Sequence, residues 1–183
     1  MRATQYLPAL AAVLCLAVAA PGAAAASATE IETRADAAIE RLAETAPEAR
    51  ELMRKATGVL VFPRVIKVGI GVGGEYGEGV LRVNGESVQY YSTASGSFGF
   101  QLGAVAKAQF ILFMTEQALA DFRAAQGWEV GVDGSVTLVK IGTGGSIDTT
   151  TGRDPVIGFV LADRGLMYDL SLAGTKITPI ERE

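Results

Sequence analysis

The chain has 183 residues, 49% of them hydrophobic and 20% charged, with a net charge of -4 and no histidine. That hydrophobic share excludes an intrinsically disordered chain, and the mild acidity excludes a global attraction to nucleic acid or an anionic membrane, so any such contact must come from a local basic patch. Without histidine, Ser-His and Cys-His nucleophile systems and the usual zinc and iron ligand sets are excluded too.

Residues 1–28 read as a secretory leader. Arg2 lies beside the amino terminus, an apolar stretch runs from Ala9 to Ala20, Pro21-Gly22 breaks it, and small-residue cleavage positions end at Ala26 or Ala28. The stretch is about 12 residues, short of the ~20 needed to span a bilayer. The expectation is export to the periplasm or envelope surface, leaving residues 29–183 as one domain. Loss of Arg2 moves the net charge from -4 to -5. Cys15, the only cysteine, follows Ala12-Val13-Leu14, a poor lipidation box.

Ile31, Ala35, Ile39 and Leu42 form a helical stripe over 29–45. Pro47 opens a second helix, 47–56, with Leu52 and Met53 inward, Arg50, Arg54 and Lys55 towards its end, and Gly58 stopping it. Strands are expected at 58–62, 65–75, 78–83, 87–93, 97–105 and 108–114. Gly69, Gly71, Gly73, Gly77 and Gly79 recur at a period of two, so one face of this segment is bare while Val68, Ile70 and Val72 fill the other. Bare strand faces imply that another backbone, a sharp bend or a ligand comes close. Asn84-Gly85 marks a tight hairpin.

Thr115 caps a helix over 116–125. Strands follow at 128–132 and 135–141 around a second hairpin turn, Asp133-Gly134, at 155–161 and 166–172 around Asp163-Arg164-Gly165, and at 176–180. The fold class is α+β: a strongly curved antiparallel sheet, barrel-like or sandwiched, with N-terminal helices (29–56), a β-rich body (58–183) and one helix inserted between strands.

Gly69 to Gly74 satisfies G-x-G-x-x-G, but Glu75-Tyr76-Gly77-Glu78-Gly79 follows where a dinucleotide site requires a helix. Glu75 with Glu78, or Asp148 with Asp154, are the carboxylate pairs that a hydrolase would use, and turn capping accounts for them more simply. Residues 142–151 echo a glycine-aspartate calcium repeat in a single copy, which lacks the stacked neighbours such a site requires. No cofactor, metal or nucleic-acid partner is implied. The basic residues say more: Arg50, Arg54, Lys55, Arg64 and Lys67 lie close together in sequence beside apolar Leu52, Met53, Val65 and Ile66, a composition suited to phospholipid headgroups.

The stretches GVLVFPRVIKVGIGVGGEYGEGVLR, YYSTASGSFGFQLGA, GWEVGVDGSVTLVKIG and DPVIGFVLADRGLMYDLSLAGTKI resemble the SYLF family, from about Ala49 to Ile180. The resemblance implies phospholipid binding, of phosphoinositides in eukaryotic members, some of which also bind and bundle actin. Those members are thought to use an amphipathic N-terminal helix at the membrane. Here helix 29–45 carries Glu30, Glu32, Asp36, Glu40 and Glu44 against Arg34 and Arg41, which directs the expectation to the basic cluster instead. The function expected is thus non-enzymatic binding of anionic phospholipid at the envelope. The alternative is a protein-interaction module using a glycine-rich sheet edge.

Overall fold

The computed structural model describes residues 26–99, 105–139, 154–162, 165–166 and 172–183, without the side chains at 68–72, 97–99 and 105. Helix α1 (Ala28–Thr45) starts where the Ser27 side chain accepts a hydrogen bond from the Glu30 amide, and it lays Ile31, Ala35, Ala38 and Leu42 on the sheet. Ala46 ends it. Pro47, which needs no amide partner at a first helical position, opens α2 (Pro47–Lys55), and Ala49 and Leu52 turn inward. Helix α2 closes at Ala56, not at Gly58. Gly58 opens the next strand and is small because Leu119 packs on it, 2.8 Å from where a Cβ would sit.

Three expected strands are one. Strand β1 (Gly58–Val83) runs 26 residues without a break. Its first half pairs with β3 (Val105–Phe113) and its second with β2 (Glu86–Gly99), both antiparallel. Pro63, which cannot donate to a ladder, falls where the β1–β3 register shifts between Phe62 and Val65. The two halves also meet face to face. A Cβ on Gly79 would lie 2.2 Å from the Val61 carbonyl oxygen, and one on Gly77 would lie 2.8 Å from that of Arg64. The bare face of β1 thus receives the strand's own first half, and the sheet curls into a half-barrel. At the far end Asn84 (φ 53°) and Gly85 (φ 82°) make the expected hairpin turn.

Helix α3 (Glu116–Ala124), capped by Thr115, follows β3. Then come β4 (Trp128–Glu129), β5 (Thr137–Leu138), β6 (Val156–Ala162), β7 (Gly165–Leu166) and β8 (Lys176–Ile180). The order is β4-β8-β2-β1-β3-β6-β5, with β7 on β6. Two corrections follow. The sheet is mixed, because β5 runs parallel to β6. Asp133-Gly134 is not a two-residue hairpin, because β4 pairs with β8 and β5 with β6, so the flanking segments never meet as a ladder. The turn sits earlier: Gly131 takes the positive φ of 91°, and the Asp133 carboxylate accepts from the Glu129 amide at 2.7 Å. β6 and β7 do pair antiparallel, as expected around Gly165, while Asp163 and Arg164 lie outside the described residues.

Each sheet face has its own core. Ala108, Phe110, Leu112, Ile157, Phe159 and Leu161 meet α1 and α2. Leu60, Phe62, Ile111, Phe113, Val156 and Val160 join α3 on the other face, where Phe122 stacks among Tyr91, Phe113 and Trp128 at centroid distances of 4.7–5.5 Å. Burial on both faces is why β6 and the second half of β3, Phe110 to Phe113, read as continuous apolar runs and not as polar alternation.

Candidate functional site

With Ala49 and Leu52 committed to the core, Arg50, Arg54 and Lys55 project from α2 into solvent. Arg54 and Lys55 share the Glu51 carboxylate at 3.1 and 3.3 Å, but they are 73% and 63% exposed, so these pairs are weak and readily exchanged for another anion. Arg50 and Arg54 line a groove of about 600 Å³ between α1, α2 and the β1–β2 turn. Ile39, Met53, Ala56 and Val59 supply its apolar surface, and Asp36, Glu40 and Arg82 complete its rim. Of the apolar neighbours named from sequence, Leu52 and Val65 are core residues and face no ligand.

Arg64 and Lys67 are elsewhere. Arg64 lines a second groove, of about 290 Å³, with Arg34, Arg41 and Lys107. Helix α1 stands between the two grooves: Asp36, Ile39, Glu40 and Ala43 face the first, while Arg34, Ala37, Ala38 and Arg41 face the second. Lys67 is half-buried on β1 and lines neither groove. The five cations therefore come apart: Arg50, Arg54 and Lys55 on α2, Arg64 in the second groove, and Lys67 in neither. Sequence reasoning passed over Arg34 and Arg41 as a minority on an acidic helix, although their spacing of two turns puts them on one flank. Lys107 is neutralised by Glu75, 2.7 Å away, with both side chains nearly buried.

The proposed carboxylate pair comes apart for a related reason. Glu75 and Glu78 are an odd number of residues apart on an extended strand, so they point to opposite faces. Glu75 takes Lys107; Glu78 takes the Arg182 guanidinium at 2.5 Å, the Tyr76 hydroxyl at 2.9 Å and the Ala26 amide at 3.2 Å. Burial pushes the Glu78 carboxyl up, but these hydrogen bonds and the Arg182 charge outweigh it and hold it below the ordinary carboxylate value. Asp154 lines a third groove, beside α3, and Asp148 lies outside the described residues, as does the glycine-aspartate segment 142–151. Residues 69–74 stay extended within β1, so the G-x-G-x-x-G stretch opens no helix.

A second ionic cluster fixes α1. Arg82 reaches Glu32 and Asp36, each at 2.6 Å, and the Tyr90 hydroxyl donates to Glu32 at 3.0 Å. Arg82 Nε is buried without a hydrogen-bond partner among the described residues, so the cluster as described carries one unmet donor. No helix among the described residues is long and apolar enough to cross a membrane.

Residues 94–183 match the family model Ysc84, described as "Las17-binding protein actin regulator". No curated protein matches the chain. The matched span covers the end of β2 and everything from β3 to β8; α1, α2, β1 and both arginine grooves lie wholly or largely before it.

Proposed function

We propose that the chain, whose residues 94–183 match the Ysc84 (SYLF) family of lipid- or protein-binding modules, is a non-enzymatic module binding anionic phospholipid at the cell envelope after export. The observation that carries the reading is the α1–α2 groove. Exposed guanidinium groups of Arg50 and Arg54 stand over Met53, Ile39 and Val59, with Lys55 beside them, so a phosphate and the first carbons of a lipid find matching chemistry in one place. Asp36 and Glu40 make the α1 side of the groove unfavourable to an anion, so contact falls to its α2 side, at Arg50, Arg54 and Lys55. The lack of catalysis is supported by the missing histidine and by the engagement of Glu75 and Glu78 in separate ion pairs.

Cosedimentation with phosphatidylglycerol and phosphatidylcholine vesicles tests this. Each cation near an anionic surface contributes about 1 kcal/mol, so changing Arg50, Arg54 and Lys55 together to Gln should weaken binding by a factor of roughly 100, less what Glu51 already screens. The double variant Arg64→Gln, Lys67→Gln should bind as the parent does. The reverse result moves the contact to the Arg34–Arg41–Arg64 groove. No binding by the parent ends the lipid reading and leaves the second one, a protein partner, which the description of the matched family favours. That partner would not use the bare face of β1 at Gly77 and Gly79, which is already filled.

A further inference from the structure

Residues 26–28 are built into the fold, although the leader reading would discard some or all of them. The Ala26 amide donates to Glu78 Oε2 at 3.2 Å, and the Ala26 methyl packs at the margin of the helix-side core. Ser27 Oγ is the N-cap of α1, accepting from the Glu30 amide at 3.2 Å. The Ala28 amide donates to the Glu183 carbonyl oxygen at 3.1 Å. A cut after Ala28 removes the cap, at a loss of about 1 kcal/mol. A cut after Ala26 removes the nitrogen that reaches Glu78. One residue upstream, Ala23-Ala24-Ala25 satisfies the small-x-small requirement equally well.

We propose that maturation hydrolyses the Ala25–Ala26 bond, and that the α-ammonium freed at Ala26 pairs with Glu78, closing a clasp between the new amino terminus, β1 and the 181–183 segment. The reaction is peptide hydrolysis by an envelope leader peptidase: water adds across the amide, Ala25 leaves as a carboxylate with the leader, and the Ala26 nitrogen gains protons to become an ammonium. A single neutral N–H is thereby replaced by a charged group with three donors, next to a carboxylate only 11% exposed that already holds Arg182 and Tyr76. The proposal rests on the export reading and is independent of lipid binding.

Sequencing the amino terminus of the envelope-purified protein, expressed as the full chain, decides the cut. A single start at Ala26 is expected; a start at Met1, Ser27 or Thr29 overturns it. The ion pair is tested by thermal unfolding of the Ala26-start protein with a free and an acetylated α-amine. An unpaired ammonium just ahead of α1 opposes the helix dipole, so its removal would leave Tm unchanged or raise it. Pairing with Glu78 reverses the sign, and acetylation should lower Tm by about 2–4 °C. An unchanged or raised Tm rules the pair out.

Discussion

Gly79 and Gly85 are glycine for different reasons, and the difference is measurable. At Gly79 a methyl group would meet the Val61 carbonyl oxygen at 2.2 Å and the Phe62 ring at 2.6 Å, and the carbonyl belongs to backbone that cannot swing away. At Gly85 nothing lies within 4 Å of a Cβ, and only the φ of 82° resists a side chain. Gly79→Ala should therefore cost about 3 kcal/mol or more, at the upper end of overpacking, and Gly85→Ala about 1 kcal/mol, the left-handed penalty. Urea unfolding of both variants checks the order, and a smaller loss at Gly79 would mean that the two halves of β1 are not in contact. Gly134 shows how a correct residue can carry a wrong reason. It reads as half of a tight turn, yet it is small because the Trp128 ring comes within 2.6 Å of its missing Cβ. Tertiary packing leaves no local signature of that kind.

At the scale of elements, the helices were legible because each writes its stripe and its cap into adjacent residues: Ile31, Ala35 and Leu42 are buried, and Pro47 and Thr115 stand where expected. The strands were legible in type but not in extent. Pro63 and Gly77 look like breaks between short strands, and both are accommodated within β1, one at a register shift and the other under the strand's own first half. The attachment of α1 was not legible, since Glu32 and Asp36 are far from Arg82 in sequence. Arg82 is only 17% exposed and holds two carboxylates, so Arg82→Ala should cost about 2 kcal/mol, discounted for the exposure of Asp36. Lys55→Ala, whose partner Glu51 is itself half-exposed, should change stability by no more than about 0.5 kcal/mol. Similar losses in the two variants, measured by denaturant midpoint, would show that the Arg82 cluster does not fasten the helix.

For the molecule as a whole, the sequence places five cations in one neighbourhood and the fold divides them, because α1 stands between the groove of α2 and the one lined by Pro63 and Arg64 of β1. What the fold joins instead is carboxylates to the helix layer. Burial raises the Glu32 carboxyl, but hydrogen bonds from Ser87, Arg82 and Tyr90 and the Arg82 charge outweigh it and leave it below its ordinary value of 4.5; Glu78 is lowered likewise beside Arg182. A depressed folded-state pKa gives stability that is fully present above the ordinary value and is lost as pH falls through the folded one. Acid below about pH 4.5 should therefore loosen α1 first, since Glu32 lies on α1 and Glu78 holds Ala26 just ahead of it. On the other face the nearly buried Glu75 of β1 pairs with Lys107 of β3, within the sheet and without a helix, and the apolar cluster there holds the chain's single tryptophan, Trp128, which reports on that face. On acidification, helical circular dichroism, dominated by α1 and α2, should decline at a higher pH than Trp128 fluorescence changes. Coincident midpoints would show that the two faces of the sheet melt as one unit and that the two ionic clusters do not set the stability of the helix layer.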